Sequence, residues 1–537
     1  MTRTLKLFLL FLLNISLCSS HSPQIVFQGK SPVKKIAIIG GGASGTSTAF
    51  WLSNTIGQSI PIDITVYEKN NYIGGRSTTI PIKDDPSLGY IELGASIFVE
   101  ANYNMMNASK KFGFPLKRLT AATKLGIWDG ESFLFEESGN QYWDVLKLFW
   151  RFGTAPLKFS SHKDKILGKF LKVYQDDLPS FTTLDDIIDY LDLNELVNQT
   201  ATDYFATKYG DQFVHEMIQT GSRGNYNQDV DYLHAFGALV SMAAGSGAWS
   251  LEDGNYRIFE KFLEKSTNTK LYLNTKVTSI DFDIHRDKKY TIYTHPSSSS
   301  TVDQKEKEEG QDFDMIVLAS PLHLSDIDTS CLKLHKHHFE RDYHTVHVTM
   351  IAGYPNPSYF GRNEDNVPTA IITTGEPLVN HFKNKQPPFT TFTRHKTLDN
   401  GEGVYKMFSQ KKLTDQDLSS LFYNTSWVYR HEWQAFPKLY PSGNHDANIK
   451  DWPSIILHGF HRDKVNRNEK DSDDHDDNDY LSNGGIIYAN AFENFISTME
   501  TQTIIGKNIA KVIYDHWCYD NDNENLCTPF GDGWGNF

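Results

Sequence analysis

A consecutive apolar run at 36–39 and the largely apolar segment 313–320 read as buried strands, and 62–67 reads as a second strand beside the first. Between 36–39 and 62–67, small and apolar residues recur at helical spacing through Leu52, so the chain opens as strand, helix, strand. Helical patterns also cover 102–112 and a patch of Trp143, Leu146, Leu148, Phe149 and Trp150, which reads as core in preference to the wall of a substrate site. Positions 270–283 alternate apolar and polar residues and predict one strand, with a second at 290–294 and others at 344–353 and 369–374. Gly484 and Gly485 precede a short apolar strand and then a helical pattern over 492–513. This order predicts an α/β protein. A Rossmann-like nucleotide-binding domain is assembled from 33–101, 232–320 and 481–515, interleaved with a discontinuous α+β substrate domain from 102–231 and 321–480.

The turn after the first strand narrows the ligand. Gly40-Gly41-Gly42-Ala43-Ser44-Gly45 joins strand to helix in the order that a dinucleotide site needs. Gly40 permits the tight turn, Gly42 lets backbone approach a pyrophosphate, and Gly45 lets helix pack on strand. Ala43 and Ser44 open the helix whose N-terminus receives the anion. The second strand ends in Glu68, followed by Lys69, where a carboxylate accepts hydrogen bonds from an adenosine ribose. Glycine triplets alone occur in ordinary turns; here strand, glycines, helix, strand and acid stand in register.

Composition and charge remove several functions. The 537-residue chain has a formal charge of −14, which disfavours nucleic acid and attraction to anionic membranes, so any membrane contact is expected to be hydrophobic. Residues 1–20 read as a secretory signal peptide, with Arg3 and Lys6 before an apolar run from Leu7 to Leu13 and small residues at Cys18, Ser19 and Ser20. No later segment is long and apolar enough to span a bilayer. Cys518 and Cys527 are spaced to close a small loop, leaving Cys331 free, although spacing does not prove the pair. Asn107, Asn198 and Asn424 begin glycosylation sequons. No Cys/His set has metal-binding spacing, and the acidic run 471–479 lacks the glycine and terminal glutamate of a calcium loop, so no metal is assigned. The Ser/Lys/Glu-rich stretch 295–311 reads as a solvated hairpin tip.

Further motifs carry a resemblance. Gly74-Gly75-Arg76 follows the acid, and Ile91-Glu92-Leu93-Gly94-Ala95-Ser96 comes soon after. With the returning glycines at Gly484 and Gly485, these resemble the two-glycine FAD-binding superfamily that includes the amine oxidases. Arg223-Gly224-Asn225-Tyr226-Asn227-Gln228 and Trp249-Ser250-Leu251-Glu252-Asp253-Gly254-Asn255 make the resemblance specific to the prenylcysteine oxidase family, whose plant branch is farnesylcysteine lyase. The resemblance implies FAD, held by Gly40, Gly42, Ala43, Ser44, Gly45, Glu68, Lys69, Gly75, Arg76, Gly94, Ala95, Ser96, a backbone contact at Val277, and Gly485. Arg76 is then expected near the phosphates, and the final helix is expected to turn its N-terminus to the flavin.

The implied substrate is a farnesyl or geranylgeranyl thioether of cysteine. Loss of hydride from the carbon between sulfur and alkene gives a cation stabilised by both, so that step needs no strong base. Water then releases prenyl aldehyde and cysteine, oxygen is the final acceptor, and hydrogen peroxide is formed. The residues name no catalytic base. An amine or polyamine oxidase is the nearest alternative, but those enzymes carry a distinctive lysine near the flavin, and no clear counterpart is found. A flavin-containing lipid-binding protein without activity is the other. The resemblance places this chemistry in the degradation of prenylated proteins, and the signal peptide implies the secretory pathway, with the lysosome ahead of the extracellular space. The insertions near Ser297 and Asp471 depart from the family pattern and bear on surface partners.

Overall fold

The computed structural model describes residues 32–119, 124–243, 247–283, 289–297, 310–332, 334, 341–363, 366–375, 387–442, 452–459, 484–519 and 526–534. The expected signal peptide, most of the hairpin tip and the acidic run 471–479 lie outside them.

The apolar run at the start forms the strand Lys34–Ile39, whose Ile36, Ala37 and Ile38 are fully buried. It pairs in parallel with Ile62–Tyr67 on one side and Met315–Leu318 on the other. Thr269–Tyr272 extends the sheet beyond Ile62–Tyr67, and Gly485–Tyr488 extends it beyond Met315–Leu318. Ile456–Gly459 closes that edge antiparallel, giving six strands with the helix Ala43–Asn54 leaving the central one. That helix lies against the final helix, Met499–Trp517. A Cβ on Gly506 would stand 2.3 Å from Ser47 Oγ and 2.9 Å from Thr48 N, so glycine sets how closely the two approach. Its other flank packs on Phe262 and Trp534, with Phe50 4.8 Å from the Phe262 ring centroid and Trp51 4.9 Å from that of Trp534.

A second sheet of seven strands forms one wall of the substrate region. In order it contains Phe422–Pro437, Tyr343–Pro355, Gly403–Ser409, Thr391–Thr397, Ala370–Thr373, Leu125–Trp128 and Phe133–Glu136. Leu125–Trp128 pairs in parallel with Ala370–Thr373 although 245 positions separate Leu125 from Ala370, so the segments before and after the middle of the chain share this sheet. The α/β architecture is the one expected.

Four local expectations are corrected. Positions 270–283 are not one strand: Thr269–Tyr272 belongs to the parallel sheet, while Thr275–Asp283 joins Lys289–Pro296 and Gln311–Phe313 in a separate antiparallel sheet. Asn274, with φ of 53°, makes the break, a left-handed conformation that asparagine tolerates better than most residues. The run 313–320 divides in the same way around Asp314, whose carboxylate accepts from Lys35 N at 2.7 Å. The last helix begins at Met499 and not at 492, because Thr498 caps it reciprocally with Thr501, and Ala489–Asn494 forms a tighter 3₁₀ turn. Finally, the aromatic helix Gln141–Phe152 is not core: none of its residues is buried.

Cys518 and Cys527 form a disulfide, and Cys331 is an exposed free thiol. Asn107, Asn198 and Asn424 are all exposed. Among the described residues no helix is long and apolar enough to cross a membrane, and no cluster of metal-ligating side chains occurs.

Candidate cofactor and substrate cavity

A cavity of about 960 Å³ runs between the two sheets, large enough for a dinucleotide part and an apolar part together. The glycine turn forms one end. Gly40 has φ of +115°, and a Cβ there would lie 2.5 Å from the Ala319 carbonyl oxygen. A Cβ on Gly45 would lie 2.0 Å from the Gly40 carbonyl oxygen, so Gly45 holds helix to turn without itself lining the cavity. Gly42 differs: a Cβ there would meet only Gly75 Cα, at 4.0 Å, and would project into open space. Gly42 is also the N-cap of Ala43–Asn54, with no capping side chain and no acid in the first turn. Gly42, Ala43 and Ser44 therefore present the positive end of a helix to the cavity.

Glu68 is 5% exposed. Its Oε2 accepts from Gly41 N at 2.8 Å, and its Oε1 accepts from Asn70 N at 2.8 Å and Asn70 Nδ2 at 2.7 Å. Lys69, Asn70, Val277 and its neighbours Thr275 and Lys276 line the same end. Gly75 and Arg76 also line the cavity, and Arg76 is already engaged: it donates to the Ala435 carbonyl at 2.5 Å and is ion-paired with Glu493. Glu493 in turn accepts from Tyr343 Oη at 2.7 Å.

The segment Gly94, Ala95, Ser96 forms the adjoining wall. Lys406, 4% exposed, donates to Ser96 Oγ at 2.6 Å and to the Glu92 carbonyl at 2.7 Å. Asn255 ties the same segment, donating from Nδ2 to the Ala95 carbonyl at 2.9 Å and from its backbone N to Glu92 Oε1 at 2.6 Å. Burial raises the Glu92 carboxyl to about 7 against the opposing Asn255 bond and Lys406 charge, and burial lowers the Lys406 ammonium to about 8 against the Glu92 charge. His395 also lines the cavity, where it is exposed, and desolvation by the wall with the charges of Lys406 and Lys117 lowers its pKa.

The glycine pair near the C-terminus does not reach the cavity, which corrects the expectation for Gly485. Gly485 is buried in its strand opposite Gly459, and Gly484 serves packing, since a Cβ there would sit 1.7 Å from the Asp314 carbonyl oxygen. The wall is supplied further on, by Asn490, Glu493, Ile496 and the residues from Ser497 through Gln502 that cap and begin the last helix. Sequence reading placed a helix N-terminus here but took its start too early and missed these side chains. It also missed Lys406, whose signal is a lone lysine within Val404-Tyr405-Lys406-Met407-Phe408, a run otherwise apolar or aromatic.

Orphaned polar atoms test which ligand fits. Among the described residues, Gln502 Nε2 and Oε1, Asn490 Oδ1 and Trp433 Nε1 are buried without protein partners, and all three residues line the cavity. Buried polar groups seek partners, and an amide offering both donor and acceptor suits the mixed donor and acceptor edge of a flavin. The open helix end suits a pyrophosphate and the acid-bearing strand end an adenosine, so these residues fit FAD. The same cavity also has an apolar wall of Leu167, Phe170, Phe236, Leu239 and Val240.

Comparison with known proteins agrees with this geometry. The profile of a Rossmann-like NAD(P)-binding domain matches residues 38–111, which carry the glycine turn and Glu68. The chain is 27% identical to farnesylcysteine lyase of Arabidopsis thaliana, over 89% of this chain and 87% of that protein. It is 29% identical to prenylcysteine oxidase 1 of Rattus norvegicus, over 93% and 91% respectively. Among solved structures, a putrescine oxidase triple mutant superposes with a TM-score of 0.53 at 11% identity, over 90% of this chain and 99% of that one, and so shares the fold. The prenylcysteine lyase profile matches residues 135–458 and 474–525, which hold most of the second sheet, the apolar wall and the last helix, and on that match the chain belongs to the prenylcysteine lyase family.

Proposed function

We propose that the protein is an FAD-dependent oxidase that cleaves the thioether of farnesyl- or geranylgeranyl-cysteine, using oxygen and water and yielding prenyl aldehyde, cysteine and hydrogen peroxide. The observation that carries this reading is a single cavity joining an uncapped helix end at Gly42 to an apolar wall at Leu167, Phe170, Phe236, Leu239 and Val240. Bound FAD supplies the two-electron oxidant that neither side chains nor water can provide.

The remaining work falls to the chain. Backbone N–H groups at Ala43 and Ser44 hold the pyrophosphate, Glu68 the ribose, and Gln502 the polar edge of the ring. The apolar wall binds the prenyl chain at about 0.8 kcal/mol per buried methylene-sized group, so a fifteen-carbon tail offsets much of the ordering it suffers.

Anaerobic mixing tests the reading. Farnesylcysteine is expected to bleach the flavin, with peroxide appearing when air is admitted, while putrescine and other amines leave it unchanged. Bleaching by amines alone would overturn it.

We infer further that the protein works in a lumen of the secretory pathway, the lysosome first. Support comes from the leader pattern of residues 1–20, the disulfide between Cys518 and Cys527, and the exposure of all three sequon asparagines. Protein recovered from cells should begin near residue 21 and lose apparent mass on deglycosylation.

A further inference from the structure

We propose that the helix Gln141–Phe152, continued by Leu157, docks the protein onto the surface of a zwitterionic phospholipid bilayer. The helix is inverted. At 100° per residue Tyr142, Trp143, Val145, Leu146, Phe149 and Trp150 fall within an arc of about 160°. This arc faces outward, with exposures of 90% for Tyr142, 45% for Trp143, 54% for Val145, 49% for Phe149 and 66% for Trp150.

The polar side does the anchoring. Arg151 is ion-paired with Glu216, with Nη2 at 2.8 Å from Oε1, and Lys147 donates to the Glu136 carbonyl at 2.7 Å and to Asp144 Oδ1 at 3.2 Å. Asp144 accepts from Ser138 N at 2.9 Å, and Phe152 meets Phe213 with ring centroids 5.5 Å apart. Charges that a surface helix ordinarily turns to water are thus spent on the protein body, and large apolar side chains are held in water, a patch that a soluble surface rarely carries without a partner.

The chemistry of the patch selects the partner. Indole and phenol rings with an apolar body and one polar tip settle at the level of lipid headgroups, where N–H and O–H groups meet phosphate and ester oxygens. A helix of 12 residues is about 18 Å long, too short to span a bilayer but sufficient to lie in its interface with one face immersed. The formal charge of −14 opposes an anionic surface and leaves a zwitterionic one neutral to approach. The cations on this helix are already matched by Glu216 and Asp144, so the patch carries no charge pattern that a protein groove would read.

The neighbouring helix, Ala155–Phe170, links the patch to the cavity. Near its start Leu157 is 68% exposed beside the exposed Lys158, while Lys163, Leu167 and Phe170 further along line the cavity. One helical hairpin therefore reaches from the docking face to the apolar wall, the route that a membrane-dissolved amphiphile needs.

The test is flotation of the full FAD-loaded chain with phosphatidylcholine vesicles. The protein is expected to float with the vesicles, and Trp143→Glu/Trp150→Glu to reduce the bound fraction about tenfold or more, as an apolar-area contact requires. Leu146→Glu and Leu157→Glu should each reduce it in part. All four positions are surface sites, and retained flavin and unchanged near-ultraviolet dichroism verify the fold. Trp143→Phe/Trp150→Phe should still float, but lose quenching of tryptophan fluorescence by brominated phosphatidylcholine. Absence of flotation, or equal flotation of the glutamate variants, would overturn the proposal. So would a dimer in sedimentation velocity that the glutamate variants dissociate without any vesicle binding, since a second copy would then cover the face.

Discussion

Lys406 donates to Ser96 Oγ across 310 positions of sequence, and by this bond and the one to the Glu92 carbonyl a buried cation from the second sheet fixes the shape of the wall contributed by the first domain. Burial of that cation works against folding. With its pKa lowered from 10.5 to about 8, the penalty is full below about pH 8 and fades as pH rises to 10.5. At about 1.4 kcal/mol per unit it is on the order of 3 kcal/mol, comparable with the roughly 1–3 kcal/mol lost when a buried acceptor is orphaned. Lys406→Met should therefore leave thermal stability near its starting value. It should also free the Gly94 to Ser96 segment and weaken flavin retention, measured by equilibrium dialysis. A large fall in melting temperature would show that the lysine serves the fold instead.

Two glycines of one turn should fail in different ways. Gly42→Val adds a side chain where only Gly75 Cα stands nearby, so the fold should persist while the pyrophosphate position fills. An overpacking cost of about 1–3 kcal/mol corresponds to flavin binding roughly 5- to 150-fold weaker. Gly45→Ala places a Cβ 2.0 Å from the Gly40 carbonyl oxygen, and there stability itself should fall. Flavin absorbance and unfolding midpoint, measured on both variants, separate the two outcomes. Normal flavin content in Gly42→Val would reject the assigned cradle.

Glu500, at the start of the last helix, accepts from Asn104 N at 2.8 Å, Met105 N at 2.9 Å and Tyr174 Oη at 2.6 Å. Burial nevertheless raises its carboxyl from 4.5 to about 7. Between those values the folded chain binds more protons than the unfolded one, so this group's contribution is full in acid and is lost as pH rises through 7. In denaturant titrations the stability of the wild type relative to Glu500→Gln should therefore decline from pH 5 to pH 7, by about 1.4 kcal/mol per pH unit. His234, buried and pushed down to about 3, acts in the opposite sense but cancels in the comparison. A flat difference would show that Glu500 is ionised throughout.

The nucleotide end of the cavity was legible because its requirements are local. A turn, a helix start and a strand-ending acid all lie between Gly40 and Glu68, and each leaves a residue type at a fixed offset. The opposite wall was not, because what matters there is burial. Lys406 looks like any strand lysine until its neighbours across the sheet are known, and 270–283 keeps one alternation while the chain changes sheets at Asn274. The helix at Gln141–Phe152 misled for a related reason. Its periodicity gives the width of an apolar face, but the pairing of Arg151 with Glu216 decides which way that face turns.

The cavity wall from Ser497 through Gln502 also sets an order of events during synthesis. The glycine turn leaves the ribosome more than 430 residues before the strand Gly485–Tyr488 that extends its sheet and the helix end that closes its site. A nascent chain can thus offer the cofactor a cradle without a lid, and secure capture must wait until the segment through Gln502 has been made.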